Sequence, residues 1–155
     1  MIANPTMDSN NRAGDYMQWV FGASNIAIDF SKSSVALSFA GQVGPAFTND
    51  TAVNDLALTI PSGATFEANG TAVLDMIRAG GFTGEFQNAN FRWGNTQIDL
   101  AFDRVSPDSS TAGASSIDGG FYGPNAVNVG GSFRIVGGIP DQRVDLHGAF
   151  TGAKR

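Results

Sequence analysis

The sequence predicts an all-β protein, a soluble eight-stranded antiparallel up-and-down β-barrel with an apolar interior. Three observations predict it: short runs of alternating apolar and polar residues, turn residues between those runs, and phenylalanines that alternate with glycines. Such alternation is typical of strands with one buried face, and alternating large and small inward side chains fit a narrow barrel. Helix formers are scarce, since Glu67 and Glu85 are the only glutamates in the 155 residues.

The chain is long enough for one domain with a real core. We expect residues 1–14, which are polar with isolated apolar residues, to be a flexible leader or the end of a linker. Residues 15–155 then form the barrel.

The predicted strands follow from the alternation. Residues 72–78 fit either more strand or one helical turn, and residues 41–54 and 106–116, rich in Gly, Pro, Ser, Thr and Asn, are predicted to be loops. A turn at residues 31–34 joins the first clear hairpin. The inward positions are Ile26, Ile28, Phe30, Val35, Leu37, Phe39, Leu56, Leu58, Ile60, Phe66, Ala68, Gly70, Phe82, Gly84, Phe86, Ile98, Leu100, Phe102, Gly131, Phe133, Ile135, Val144, Leu146, Gly148 and Phe150.

A barrel is favoured over a sandwich because closure removes exposed strand edges. A membrane-spanning barrel is the structural alternative, since its strands alternate in the same way with the apolar face turned to lipid. The alternating runs here are short and their aromatic residues lie mid-strand, whereas spanning strands need about 9–11 residues and aromatic girdles. We therefore expect a barrel that does not span a membrane.

Charge and composition exclude several classes of function. A net charge of −5 with scattered basic residues argues against a nucleic-acid partner, and the absence of cysteine excludes disulfides and thiolate catalysis. His147 is the only histidine, and no nucleophile elbow is present, so we expect no enzyme activity and no metal site. Trp19, Phe21, Phe91 and Trp93 are interpreted as core or barrel-end plugs rather than a binding platform.

Two motifs resemble the transferrin-binding protein B-like β-barrel family. The first is GGFYGPNAVNVGGSF at residues 119–133, and the second is the ending GAFTGAKR at residues 148–155. A weaker similarity covers GGFTGEF at residues 80–86. The residues that carry the resemblance are Phe121, Tyr122, Gly123, Pro124, Asn125, Gly130, Gly131, Phe133, Gly148 and Phe150.

The segment is also interpretable without the family. Pro124 is predicted to start one helical turn through Asn128, and Gly130 and Gly131 to end it, with phenylalanines on both sides of a tight corner. We interpret this corner as a feature that closes the barrel rather than as a ligand contact.

The resemblance implies an eight-stranded barrel on a lipid-anchored or secreted surface protein that captures transferrin, haem or a host protein. It places the chain at a bacterial cell surface, outer-membrane-associated or secreted. The chain departs from the family because it has no cysteine for lipid attachment and is too short for a second "handle" sheet. No cofactor is expected; haem is the one candidate, with His147, Tyr122 and Tyr16 as its possible ligands.

The sequence therefore predicts a non-catalytic binding module. The rigid barrel would present residues 41–54 and 106–116 to a protein or small ligand. The alternative is a structural domain without a ligand, part of a longer cell-surface or regulatory protein.

Overall fold

The structure, a computed structural model, describes residues 2–9, 16–48, 51–52, 60–77, 80–102, 115–140 and 142–153. Within them lie eleven strand segments and one 3₁₀ turn, Pro124–Ala126. The strands are β1 (Ile2–Ser9), β2 (Tyr16–Asp29), β3 (Ser34–Thr48), β4 (Thr51–Ala52), β5 (Thr65–Asp75), β6 (Gly81–Trp93), β7 (Thr96–Asp99), β8 (Ala101–Phe102), β9 (Ser116–Tyr122), β10 (Asn128–Ile139) and β11 (Gln142–Ala153).

The strands form one antiparallel sheet that closes on itself. Neighbours follow the order β1, β2, β3, β5, β6, β9, β10 and β11, and β11 pairs with β1 to close the ring. The short β4 extends the pairing at the end of β3. The predicted all-β, eight-stranded antiparallel barrel is therefore confirmed.

One of the eight wall positions is built from two pieces, and we call it the divided strand. Its lower half, beside the turn of residues 94–95, is β7 and β8, which continue from β6 through that turn. Its upper half, which leads to the turn of residues 123–127, is β9. Both halves pair with β10, β8 at Gly137 and Gly138 and β9 from Arg134 upwards. The Oγ of Ser115, the residue before the upper half, accepts a 3.1 Å hydrogen bond from the Val136 amide of β10. Along β10 the lower half ends opposite Gly137 and the upper half begins opposite Arg134, so this wall position is interrupted in the middle of the barrel.

The interior is filled by a contiguous set of seven phenylalanines, which we call the aromatic column. Phe39 lies at its centre, 4.8 Å from Phe133, 5.5 Å from Phe150 and 5.8 Å from Phe86 between ring centroids. Phe82 and Phe121 continue it, and Phe30 ends it, 5.6 Å from Phe121. The members are Phe30, Phe39, Phe82, Phe86, Phe121, Phe133 and Phe150. The predicted apolar interior is confirmed, although Phe30 lies in a turn and is 60% exposed.

Glycines make room for these rings. A Cβ on Gly119 would overlap the ring of Phe82, and a Cβ on Gly70 would overlap the side chain of Ile117. In β10 and β11, Gly131 pairs with Phe150 and Phe133 pairs with Gly148. Large and small residues thus alternate across strands as well as along them, as the narrow barrel requires.

The flexible leader predicted for residues 1–14 does not agree with the backbone of residues 2–9. These residues form β1, which pairs with β11 on one side and with β2 on the other. Strand pairing uses backbone groups, and a strand that fills the space between two open edges is stabilised even without an alternating side-chain pattern. The sequence prediction relied on that pattern alone.

The loop predicted for residues 41–54 is wrong over residues 41–48, which belong to β3. Gln18 pairs with Ala46 but Val20 pairs with Val43, so β3 contains one extra residue at this point. This β-bulge includes the exposed Pro45, which a regular central strand would not accommodate. The bulge interrupts the alternation and thereby concealed the strand.

The other predictions have clear outcomes in the described residues. The hairpin of β2 and β3 is present, and the ambiguous stretch is strand up to Asp75 followed by a turn. Ile60 is buried, whereas Leu56, Leu58 and most of residues 106–116 lie outside the described residues.

Candidate functional site

The antiparallel pairing places three turns at one end of the barrel, which we call the upper end. They are residues 30–33 between β2 and β3, residues 76–80 between β5 and β6, and residues 123–127 between β9 and β10. The pairs Ser34–Val73 and Gly81–Gly120 bring the strand ends beside these turns to the same level. The turn of residues 94–95 lies at the opposite, lower end.

Exposed large apolar side chains concentrate at the upper end. Ile77 is 97% exposed, and six of the eight such residues in the described part of the chain lie in or beside the three turns. These six are Phe30, Val73, Met76, Ile77, Tyr122 and Val127. Isolated exposed apolar residues are normal, but a concentration of them marks an interaction site.

Few of the described side chains at the upper end are charged. The Asp29 carboxylate accepts hydrogen bonds from the Ser31 hydroxyl and the Lys32 amide and lies 3.3 Å from the Lys32 ammonium. The Ser31 hydrogen bond, followed by that of the Lys32 backbone, holds the pKa of Asp29 below its usual value. Asp75 lies beside the turn between β5 and β6, and the exposed Asp118 lies on β9, four residues before Tyr122.

A second candidate surface lies on the outer face of β2 and β3. No charged residue occurs from residue 16 to 28 or from 33 to 48, although the chain has 14 acidic and nine basic residues. Gln18 and Val20 are fully buried, so Trp19 and Phe21 face outwards, with 39% and 55% of their surface exposed. We call this outer face the uncharged wall.

Aromatic rings cluster on the uncharged wall. The Trp19 ring lies 6.2 Å from Phe21 and 6.4 Å from Phe47, nearly parallel to the latter. The interpretation of Trp19 and Phe21 as core or plug residues is therefore wrong, whereas Phe91 is fully buried and Trp93 packs against the core as expected. The prediction failed because both faces of β2 carry apolar residues here, so the alternation does not show which face is buried.

Gln18, a residue that the sequence analysis missed, fixes the backbone beneath this cluster. Its Nε2 donates 3.2 Å hydrogen bonds to the carbonyl oxygens of Gly44, in the bulge, and of Ile60. Its Oε1 is buried with no partner among the described residues. The amide thus ties β2 to the β3 bulge, although a glutamine between Met17 and Trp19 carries no sequence signal for this role.

The motif that carries the family resemblance forms the upper turn between β9 and β10. Pro124 occupies the first position of the 3₁₀ turn, and Gly123 and Asn125 have positive φ angles of 77° and 56°. The helical turn is shorter than predicted, because β10 already begins at Asn128. Gly130 and Gly131 therefore lie within a strand and do not end a helix.

Tyr122 covers glycine backbone on the outer face. A Cβ on Gly120 would lie 3.5 Å from its hydroxyl, and a Cβ on Gly130 would lie 3.6 Å from its ring. An open trough of about 720 Å³ lies beside it, lined mostly by small residues of β9, β10 and β11. The other motif aromatics, Phe121, Phe133 and Phe150, belong to the aromatic column.

The three proposed haem ligands are not brought together. His147 pairs with Arg134 across β10 and β11, whereas Tyr122 pairs with Asn128, six residues or about 20 Å further along β10. Tyr16 starts β2 beside Met7, towards the lower end. The arrangement provides no pair of axial ligands from these residues.

His147 belongs instead to an exposed polar cluster. Asp145 accepts two hydrogen bonds from the Arg134 guanidinium, at 2.6 and 3.1 Å, and its Oδ1 lies 3.1 Å from His147 Nε2. The hydrogen bonds from Arg134 are the main cause that lowers the pKa of Asp145, and the charge of His147 adds to it. This arrangement is an exposed ion-pair network.

Two other kinds of feature are absent from the part of the chain that the structure describes. No group of three or more His, Cys, Asp or Glu side chains could hold a metal ion. No described helix has the length and apolar character needed to cross a bilayer.

Comparison with known proteins identified no relative. No protein-family model matches the chain, and neither a curated protein nor a solved structure matches it.

Proposed function

We propose that this chain is a non-catalytic binding module of a bacterial cell-surface or secreted protein and that it holds a protein partner on the uncharged wall. The observation that carries this proposal is the absence of charge from residues 16–28 and 33–48 of the hairpin, combined with the exposed Trp19 and Phe21. Cores of protein interfaces are depleted of charged residues and enriched in aromatic residues.

The shape of the wall supports a flat protein partner. The outward residues between the aromatic cluster and the upper turn are small, and they include Ala23, Ala27, Ala36 and Ala40, all exposed. Two strands of about 12 residues present a face of about 40 by 10 Å, or about half of one side of a standard-size interface. A partner of standard size would therefore extend beyond these two strands. Of the segment 41–54 expected to bind, residues 41–48 belong to β3 and lie within the wall.

The predicted second binding segment, residues 106–116, does not support the same contact. Of this segment only residues 115 and 116 are described, and Ser116 begins β9. β9 is separated from β2 and β3 by β5 and β6 on one side and by β10, β11 and β1 on the other. One small ligand would not bridge the two segments. We therefore assign the partner to the β2–β3 side alone.

The family resemblance suggests the first partners to test. Transferrin and haemoglobin are protein ligands, and hemin tests the small-molecule alternative. The wide separation of His147, Tyr122 and Tyr16 favours the protein ligands over direct haem ligation.

The test measures binding of each probe to the immobilised chain by surface plasmon resonance. We expect a protein probe to bind and Phe21→Asp to weaken that binding at least tenfold, because a charge would enter an apolar contact. Met76→Ser is the matched control, since Met76 and Phe21 are both 55% exposed but lie on different surfaces. Unchanged affinity in Phe21→Asp would contradict the assignment of the wall.

If hemin binds to the wild-type chain and His147→Ala abolishes that binding, the result would support a haem-binding protein instead. Failure of all three probes would reject capture of these ligands and support the alternative, a structural domain whose uncharged wall packs on another part of a longer protein.

A further inference from the structure

The exposed apolar side chains of the upper end belong to separate turns. Met76 and Ile77 come from the turn between β5 and β6, Phe30 from the turn between β2 and β3, and Val127 from the turn between β9 and β10. These turns follow one another around the rim of the barrel, because they join β2 to β3, β5 to β6 and β9 to β10, which are consecutive strands of the sheet. A flat surface placed against this end could therefore contact all three turns together.

The upper end is also closed by apolar groups. Phe30 reaches Phe121 across the mouth, and Phe121 packs on Phe82 below it. The aromatic column thus continues to the surface, so that apolar side chains lie at the centre of this end as well as on its turns.

We propose that the upper end docks on the surface of a lipid bilayer, with Ile77, Met76 and Phe30 inserted to the depth of the headgroup boundary. Apolar side chains at this depth, accompanied by an aromatic residue such as Tyr122, are the usual anchors of interfacial proteins. This inference is independent of the partner proposed for the uncharged wall, which lies on the side of the barrel.

The charge distribution permits contact with a zwitterionic lipid surface. Among the described residues of the upper end, the Asp29 carboxylate is paired with the Lys32 ammonium at 3.3 Å. Asp75 lies beside the turn between β5 and β6 and Asp118 lies on β9, whereas Glu67, Glu85 and Asp145 lie further down the side wall. Phosphatidylcholine carries no net charge, so these few acids meet no net electrostatic repulsion at the contact.

The form of the side chains favours lipid over a second protein. Ile77 is 97% exposed, so it protrudes from its turn with almost no support from its own chain. A protein partner would need a separate complementary pocket for each protruding side chain, whereas lipid acyl chains adapt to any spacing.

The test uses the absence of cysteine from the chain. Ile77→Cys and Phe21→Cys, each labelled with an environment-sensitive dye, report the upper end and the side wall separately. With phosphatidylcholine vesicles, we expect a blue shift and an intensity increase from the dye at position 77, equal at low and high salt, and no change from the dye at position 21.

Affinity provides the second measurement. Ile77→Ser should lower the vesicle partition coefficient about tenfold, because one large apolar side chain is lost from the contact. Phe21→Ser, with comparable chemistry on the side wall, should leave it unchanged, and circular dichroism checks that both variants are folded.

Three outcomes would overturn the proposal. In the first, neither dye responds to vesicles. In the second, both dyes respond equally, as in a barrel that spans the bilayer. In the third, the dye at position 77 responds to an increase in protein concentration without vesicles, which would assign this end to contact between copies of the chain. Loss of vesicle binding with retained protein binding would leave the proposed function intact.

Discussion

Phe39 occupies the centre of the aromatic column and packs against three other rings, which come from β6, β10 and β11. Tilted and edge-on ring pairs at 4.8–5.8 Å add to the stabilisation from burial alone. Because the column is contiguous, removal of one ring leaves a cavity that its rigid neighbours cannot fill.

Phe133→Ala should destabilise the barrel by about 3–5 kcal/mol, since Phe133 is 3% exposed and contacts both Phe39 and Phe86. Phe102→Ala should cost less, because Phe102 is only partly buried. Urea unfolding followed by circular dichroism measures both values. Equal free energies of unfolding for wild type and Phe133→Ala would contradict the inside–outside assignment.

Two adjacent glycines in β10 provide a matched pair of substitutions. A Cβ on Gly131 would overlap the Asp118 carbonyl oxygen and lie 2.7 Å from the Phe150 ring, whereas a Cβ on Gly130 would lie 3.3 Å from the Phe150 carbonyl oxygen. Gly131→Ala should therefore cost about 1–3 kcal/mol, and Gly130→Ala clearly less. Thermal unfolding compares the two, and equal melting temperatures would show that close strand approach is not the reason for Gly131.

The Arg134–Asp145–His147 cluster predicts a pH dependence. The folded-state pKa of Asp145 is lowered, so its contribution to stability is present above the unfolded-state pKa of about 4 and is lost as the pH falls through the folded value. Wild type should lose stability below about pH 4, and Asp145→Asn should lose less over the same range. Urea unfolding across that range measures the difference, and parallel curves would contradict the role of the ion pair.

At the scale of elements, strands with strict alternation could be predicted from the sequence. β5 and β11 are examples, since Phe66, Ala68, Leu146 and Phe150 all face inwards as expected. β1 could not be predicted, because it is held in place by pairing with β2 and β11 and not by an alternating pattern of its own. The end of β3 was missed because the bulge near Pro45 changes the alternation.

The divided strand predicts tolerance to shortening. Phe102 pairs with Gly137 and Ser116 pairs with Arg134, so the ends of the two halves are close along β10. Replacing residues 103–114 with a short Gly-Ser linker should leave the barrel folded, because the pairing of both halves with β10 is retained. Circular dichroism and thermal unfolding test this, and an unfolded variant would show that the connection contributes to the wall.

At the scale of the whole molecule, the barrel could be predicted but its candidate binding surfaces could not. The inward direction of Val20 rather than Trp19 depends on the register between β2 and β3, which alternation does not determine when both faces are apolar. The absence of charge from residues 16–28 and 33–48 was visible in the sequence and is the signal that could have indicated the wall. The concentration of apolar turns at one end required the topology.

The outward rows of β5 and β6 are polar, with cross-strand hydrogen bonds such as Asn69 to Asn88 and Gln87 to Thr71. We therefore expect the purified chain to remain monodisperse without detergent, as size-exclusion chromatography with light scattering would show. A requirement for detergent would contradict this prediction and favour the membrane-spanning alternative.

The pairing of β1 with β11 also has a kinetic consequence. It joins Ile2 to Ala149, the greatest sequence separation between paired strands, so the ring can close only after the remainder of the chain has been ordered. The entropic cost of this closure rises only slowly with loop length, and β1 can detach while the other seven wall positions remain paired. Amide hydrogens of β1 should accordingly exchange with solvent faster than those of β5 and β6, so the seam of the barrel is the first part to open.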